Sequence, residues 1–129
     1  VNMDQLKVEL NSFGGYTYAR HVLGHAGTWV VADPSYGKVY ASNDNAANWT
    51  IRYYNSDEMI NSITAFNDLW VMVGENGVVA SSIDAKNWLV RKQDNFINNY
   101  NDCVYDETNN QWIAVGENGQ IFSAYQPQD

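Results

Sequence analysis

The stretch that decides the fold reads WVMVGENGVVASS, at residues 70–82. Two runs rich in valine stand on either side of an Asn-Gly pair, Asn76 and Gly77. β-Branched and aromatic residues favour strands. Asn-Gly favours a two-residue hairpin turn, because both central residues of such a turn need a positive φ. The stretch therefore predicts a β-hairpin.

The same pattern occurs three times along the chain. Trp29 begins WVVADPSYGKVYAS, Trp70 begins the stretch above, and Trp112 begins WIAVGENGQIFSA. The tryptophans are therefore 41 and 42 residues apart, and a nearly constant period of this length is typical of repeat proteins. A short run of strand-forming residues precedes each of these tryptophans. In the first two units a second tryptophan, Trp49 or Trp88, begins a further run of this kind. Each complete unit is thus predicted to contain four strands.

We predict an all-β fold of about three four-stranded antiparallel, blade-like sheets in a single domain that covers residues 1–129. Residues 16–56 form the first repeat, 57–96 the second, and 97–129 a third that stops after its third strand. The segment LKVELNS at residues 6–12 aligns with the fourth strands that begin at Trp49 and Trp88. The N-terminal residues 1–12 are therefore predicted to complete the last sheet and cover its exposed edge. A loose arm or a short helix is the alternative.

The connection before each second tryptophan resembles the Asp-box, S-x-D-x-G-x-x-W, of the BNR β-propeller repeats. The matching residues are Ser42, Asp44 and Trp49, with Ala46 in place of glycine, and then Ser81, Asp84 and Trp88, with the aspartate displaced by one position. The repeats are similar to those of bacteriophage tail-fibre and virion surface proteins, of bacterial cell-surface proteins and of the photosystem assembly propeller. The resemblance implies propeller-type blades in which these residues are structural.

Charge and composition exclude several classes of function. The net charge of −8 opposes binding to phosphate backbones and to anionic membranes. No stretch of about 18 apolar residues is present, so no membrane-spanning helix is expected. The single cysteine, Cys103, rules out an intrachain disulfide. It aligns with Val22 and Ile63 in the first strand of each repeat, and we predict that it is a core residue.

The candidates for catalysis and metal binding are few. A sialidase needs an arginine cluster, whereas this chain has three arginines, at Arg20, Arg52 and Arg91. His21 and His25 lie at a strand end around a glycine, so we expect them on opposite faces or in a turn and not as a metal pair. We predict no catalytic residue, no metal and no cofactor.

A binding face is the remaining possibility. The loops at one end of the sheets combine aromatic rings with amides and carboxylates, which suit the apolar faces and hydroxyls of sugars. The candidate ligand residues are Tyr16, Tyr36, Tyr54, Asp57, Asp94, Asn98 and Tyr100. The alternative is that these are ordinary polar loops with some buried tyrosines.

We therefore predict a non-enzymatic structural or binding module at a virion surface or, alternatively, outside a bacterial cell or on its surface. Phage tail or capsid decoration and receptor or glycan attachment are the expected roles. The expected partners are a second copy, other virion or surface proteins, and host glycans. A dedicated lectin, a sialidase-like glycosidase and an assembly factor that grips a peptide are the alternatives.

The number of repeats bears on assembly. Closed propellers usually have four to eight blades, so three are too few to close comfortably. We expect a homo-oligomer, with two chains head to tail giving six blades. A three-sheet prism and one segment of a longer propeller are the alternatives.

Overall fold

The computed structural model of the chain describes residues 19–33, 37–91 and 98–125. These residues form three antiparallel sheets, so the predicted all-β, blade-like fold is confirmed. Sheet 1 contains β1 (His21–His25), β2 (Thr28–Asp33), β3 (Lys38–Ser42) and β4 (Thr50–Tyr54). Sheet 2 contains β5 (Ile60–Phe66), β6 (Leu69–Gly74), β7 (Val79–Ser82) and β8 (Leu89–Val90). Within the described residues, sheet 3 contains β9 (Tyr100–Asp106), β10 (Gln111–Gly116) and β11 (Ile121–Ala124). The strand predicted at residues 6–12 lies outside them.

The two Asn-Gly turns have the predicted backbone conformation. Asn76 has a φ of 55° and a ψ of 30°, and Gly77 has a φ of 72°. Asn118 and Gly119 repeat it, with φ values of 58° and 69°. These turns connect β6 to β7 and β10 to β11, as predicted. The hairpin prediction from residues 70–82 is therefore confirmed.

Sheet 2 lies between the other two sheets and buries both of its faces. Along β6, Trp70 and Met72 belong to the core shared with sheet 1, whereas Val71 and Val73 belong to the core shared with sheet 3. Successive side chains of a strand point to opposite faces, so burial on both faces requires a continuous apolar run. This explains why apolar and polar residues do not alternate along the β6 part of residues 70–82.

The first strand of each sheet lies where neighbouring sheets meet, since β5 contacts both β1 and β9. The His21 side chain hydrogen-bonds from Nε2 to the carbonyl of Ile63 in sheet 2, at 3.0 Å. One sheet further on, the Ser62 hydroxyl donates to Oδ1 of Asp102 at 2.9 Å and accepts the backbone N–H of Cys103 at 3.3 Å. Equivalent positions on β1 and β5 therefore bond to the sheet that follows.

The three sheets form an arc. In the described part of the chain, extensive packing joins sheet 1 to sheet 2 and sheet 2 to sheet 3, whereas a prism would also need sheet 3 packed on sheet 1. Trp70 and Trp112 are 4% and 5% exposed, but Trp29 is 39% exposed. Trp29 is more exposed than the two equivalent tryptophans because it lies on the face of sheet 1 that is turned away from sheet 2.

Candidate functional site

The hairpin between β3 and β4 is held together by one carboxylate. Asp44 accepts the backbone N–H of Asn48 at 2.9 Å, the Asn48 amide at 2.8 Å and the Ser42 hydroxyl at 2.7 Å. These hydrogen bonds, chiefly the one from the Asn48 backbone, lower the pKa of Asp44 to about 2. The Trp49 indole donates to the carbonyl of Ala46 at 3.1 Å. The side chains predicted to be structural make intrahairpin bonds.

The hairpin between β7 and β8 repeats this arrangement with a different serine. Ser82 donates to Asp84 at 3.0 Å and accepts the backbone N–H of Ala85 at 2.8 Å. The backbone N–H groups of Asn87 and Lys86 hold the pKa of Asp84 well below its usual range, and the Trp88 indole donates to the Ala85 carbonyl at 3.2 Å.

The assignment of Ser81 to this hairpin is therefore corrected. Ser82 pairs with Trp70 across the sheet as Ser42 pairs with Trp29, so Ser82 is the equivalent residue. Ser81 instead accepts a hydrogen bond from Nε of Arg91 at 3.1 Å. The second hairpin is one residue shorter, and alignment from the tryptophan misplaced its serine. The Ser-x-Asp spacing, which is the same in both hairpins, was the signal that identifies Ser82.

A third carboxylate of this kind was missed by the sequence analysis. Asp106 accepts the backbone N–H of Thr108 at 3.0 Å and the Asn109 amide at 2.8 Å, in the turn between β9 and β10. The bond from the Asn109 side chain is the main reason why the pKa of Asp106 is lowered. Asp and Asn commonly cap turns in this way, so an Asp followed by Asn three residues later was the available signal.

Four of the seven predicted sugar-binding residues lie in the part of the chain that the structure describes, and their surroundings differ. Tyr16, Tyr36 and Asp94 lie outside the described residues. Tyr100 is only 2% exposed and belongs to the core between sheets 2 and 3. This corrects its assignment as a ligand residue, because β9 turns its ring inward, where desolvation raises the pKa of the hydroxyl. Tyr54 is 61% exposed, and the Lys38 ammonium lies 5.6 Å from the centre of its ring.

The amides at this end of the molecule bond to neighbouring loops. Asn76 donates through its side chain to the Asp57 carbonyl at 2.7 Å, and its backbone N–H donates to Oδ1 of Asn99 at 2.9 Å. Between β9 and the β10–β11 turn, Asn118 donates to Oδ1 of Asn98 at 3.2 Å. These asparagines join successive loops into a rim, and each of them makes at least one hydrogen bond within the protein.

A groove of about 620 Å³ separates the outer strands of sheets 2 and 3. Its lining residues are Leu69, Val71, Val79, Ser81, Arg91, Trp112, Phe122, Ser123, Ala124 and Tyr125. The Trp112 indole nitrogen is buried and, within the described residues, donates to no acceptor. The groove runs beside β11, where a fourth strand of sheet 3 would lie.

The cysteine and the two histidines, which were the remaining candidates for catalysis or metal binding, are held within the fold. Cys103 is buried, as predicted, and desolvation raises the pKa of its thiol to about 11. His21 and His25 both lie on β1, four residues apart, and therefore point to the same face, which corrects the expectation of opposite faces or of a turn. About 13 Å of strand separates them, and each ring bonds to a carbonyl of sheet 2, Ile63 or Asn67.

The described residues contain neither a cluster of metal-ligating side chains nor a membrane-spanning helix. No group of three or more His, Cys, Asp or Glu side chains in the three described ranges could hold a metal ion. In the same ranges, no helix has the length and apolar character that crossing a bilayer requires.

Comparison with known proteins supports the fold. No family model matches the sequence, and none of the curated proteins matches it. Among solved structures, YCF48 from Cyanidioschyzon merolae aligns with a TM-score of 0.64 and 14% identity, over 82% of this chain and 33% of that chain. Hsv2 from Kluyvelomyces marxianus aligns with a TM-score of 0.56 and 8% identity, over 84% of this chain and 36% of that one. The computationally designed Ika4 protein aligns with a TM-score of 0.50 and 10% identity, over 95% of this chain and 100% of that one.

YCF48 and Hsv2 are β-propellers, so the three sheets have the arrangement of consecutive propeller blades. The chain spans about a third of the length of these two propellers. At such low sequence identity, the likeness supports the fold and carries no information on function.

Proposed function

We propose that this chain is a non-enzymatic structural and binding module of a virion surface, or alternatively of a bacterial cell surface, and that it acts by adding its blades to a larger assembly. The observation that carries the proposal is an exposed apolar face on sheet 3. Its residues stand at positions whose equivalents in sheets 1 and 2 are core residues.

The equivalence is read from the strand registers. Val73 and Val115 each stand three residues after the tryptophan of their sheet, and Val79 and Ile121 are their cross-strand partners. In sheet 2 the two residues are 1% and 4% exposed, but in sheet 3 they are 45% and 74% exposed. Monomeric proteins seldom leave a contiguous apolar face uncovered. A face built like an interior surface is therefore best explained by a neighbouring blade or protein.

The polar side chains support a structural role. The Asp44 and Asp84 carboxylates are fixed as anions by turn N–H groups, which makes them poor proton donors near neutral pH. The raised pKa of Cys103 keeps its thiol protonated, and a thiol is a weak nucleophile. The three arginines stand apart along the chain, Arg20 before β1, Arg52 on β4 and Arg91 after β8. The Asp44 and Asp84 carboxylates and the Cys103 thiol thus have structural surroundings.

The dedicated lectin has less support from the geometry. Tyr100 is in the core, and the rim asparagines, although exposed, bond to neighbouring loops. A sugar site on this face would need those bonds to open. The rim instead stiffens the loop end, and a rigid surface loses little entropy when it joins a larger structure.

The test is the location of the protein and the effect of a change on the exposed face. Gold-labelled antibody should bind to intact virions or cells of the source. Ile121→Lys should reduce incorporation into the particle or surface layer, whereas Ile83→Lys should not. Ile83 is a matched control, because it is 78% exposed and lies in the β7–β8 hairpin, away from this face. Labelling only after lysis, or equal incorporation of both variants, would refute the proposal. Turnover of a fluorogenic sialoside would refute its non-enzymatic part.

A further inference from the structure

We propose that Asn118 is a site of spontaneous deamidation, whereas the fold protects Asn76, which stands in an identical local sequence. That sequence is Val-Gly-Glu-Asn-Gly, at residues 73–77 and 115–119. The backbone conformation is also shared, with φ and ψ of 55° and 30° at Asn76 and of 58° and 29° at Asn118. A difference in reactivity must therefore come mainly from tertiary contacts. The site goes beyond the proposed function and does not depend on it.

The reaction is an intramolecular substitution. The amide nitrogen of the following glycine attacks the side-chain carbonyl carbon of the asparagine, Cγ, and the proton lost from this nitrogen leaves with the departing ammonia. The product is a five-membered cyclic imide. Water then opens the ring: cleavage of the bond from nitrogen to Cγ gives aspartate, and cleavage of the bond to the backbone carbonyl carbon gives isoaspartate. Because glycine has no Cβ, its nitrogen can approach closely.

The closed hairpin turn prevents this attack. At a ψ of 29° or 30° the glycine nitrogen is nearly eclipsed with the backbone nitrogen of the asparagine itself. Cβ stands at another position around the tetrahedral Cα, so the glycine nitrogen points away from the side chain. Ring closure requires the glycine nitrogen and Cβ to be nearly eclipsed instead. The turn must therefore open before the imide can form, and the rate follows the population of the open turn.

Several contacts hold the turn at Asn76 closed. The Asn76 side chain donates to the Asp57 carbonyl at 2.7 Å, and its backbone N–H donates to Oδ1 of Asn99 at 2.9 Å. The glycine that follows is buried. The residues on either side of the turn, Val73 and Val79, are 1% and 4% exposed. Opening this turn would therefore break hydrogen bonds to two neighbouring loops and disturb the core.

The turn at Asn118 has weaker support. The Asn118 side chain donates to Oδ1 of Asn98 over a longer distance, 3.2 Å. Gly119 is exposed, and no atom lies within 4 Å of the position that a Cβ on it would occupy. The flanking residues Val115 and Ile121 are 45% and 74% exposed. Opening this turn therefore disturbs few apolar contacts, and Asn118 is the asparagine that reacts in the folded chain.

Deamidation at Asn118 changes sheet 3 in two ways. It adds a negative charge next to Glu117 and replaces the amide that donates to Asn98. In isoaspartate the main chain also gains a carbon atom within a turn whose length sets the strand pairing, and this disturbs the pair of Val115 and Ile121. The aged protein should therefore have a lower Tm than the fresh protein.

The experiment is incubation of the full chain in mildly alkaline buffer, followed by trypsin digestion and tandem mass spectrometry. Cleavage after Lys86 places the two turns in different peptides, and the change from amide to acid is measured at each asparagine. In the folded chain Asn118 should react on the order of tenfold faster than Asn76, the factor expected from about one further hydrogen bond and the buried valines. In urea the two rates should be equal, because the local sequences are the same.

Two variants test the cause of the difference. Asn99→Ala removes the side-chain acceptor of the Asn76 N–H and should raise the rate at Asn76 several-fold, with the rate at Asn118 unchanged. Asn98→Ala is the matched control, because the Asn98 side chain accepts from Asn118; it should raise the rate at Asn118 and leave that at Asn76 unchanged. Circular dichroism confirms that both variants are folded.

Four results overturn the inference. Equal rates at the two asparagines of the folded chain exclude control by tertiary contacts. An Asn118 that reacts in urea but not in the folded chain means that its turn is held as firmly as the other. An unchanged rate at Asn76 in Asn99→Ala excludes the protecting contact. Conversion of most of Asn118 with no fall in Tm excludes the effect on sheet 3.

Discussion

Replacing Gly116 with alanine should destabilise the chain more than the same replacement at Gly119, although the two glycines lie in one turn. A Cβ atom on Gly116 would stand 2.0 Å from the carbonyl oxygen of Asn99 and 3.0 Å from the Cα of Tyr100. Both of these neighbours are backbone atoms. A Cβ on Gly119 meets nothing within 4 Å, but its φ of 69° is one that alanine adopts with strain.

The expected magnitudes follow from these two causes. Relief of the clash at Gly116 requires β9 to move away by about an ångström, and overpacking of this kind costs about 1–3 kcal/mol. The movement also loosens the hydrogen bond from the Glu117 N–H to the Asn99 carbonyl, 3.0 Å long, which adds about 1 kcal/mol. We therefore expect about 2–4 kcal/mol for Gly116→Ala. Gly119→Ala should cost only about 1 kcal/mol, the price of the left-handed conformation.

The assay is urea unfolding followed by tryptophan fluorescence, supported by thermal melts. For a chain of this length each kcal/mol lowers Tm by about 3–6 °C, so the two variants are easily separated. Gly119→Asn is the control for conformation, because asparagine tolerates a positive φ; it should lie between the wild type and Gly119→Ala. If Gly116→Ala lowers the free energy of unfolding no more than Gly119→Ala does, the backbone at Asn99 and Tyr100 does not lie as close to Gly116 as the structure places it.

Three further predictions concern the tryptophans, the first hairpin and the N-terminal segment. Trp70→Ala should cost about 3–5 kcal/mol and Trp29→Ala clearly less, since Trp29 is 39% exposed; equal losses in urea unfolding would contradict this. The folded pKa of Asp44, lowered to about 2, means that its stabilisation is present above the ordinary carboxyl pKa of about 4 and is lost as the pH falls toward 2. Asp44→Asn should therefore reduce the change in the free energy of unfolding between pH 4 and pH 2. An unchanged pH dependence would show that the hairpin bonds do not form. Deleting residues 1–12 should cause aggregation, because the strand predicted there would no longer cover the edge of sheet 3; light scattering that shows a soluble, equally stable chain would mean that the segment is dispensable.

Much of the site-level disagreement between sequence and structure has a single cause. The repeat alignment placed Tyr100 in a loop, but β9 begins at that residue and turns its ring into the core. It also placed Ser81 where Ser82 belongs, because hairpins of different length cannot be aligned from one end. Positions near the boundary of a strand are the ones at which a shift of one residue reverses the direction of a side chain.

The sequence by itself determined the features that depend on neighbouring residues. The Asn-Gly pairs specify their hairpins because a positive φ at two successive residues suits few other pairs. The period of 41 and 42 residues specifies three equivalent sheets, and the apolar run from Trp70 to Val73 specifies a sheet covered on both faces. Only the tertiary structure decided which equivalent residues are buried. Trp29 and Trp70 have the same local pattern, but Trp70 has a sheet packed against it, whereas Trp29 is partly exposed. Burial is set by the number and order of the sheets, and those contacts join residues about 40 positions apart in the chain.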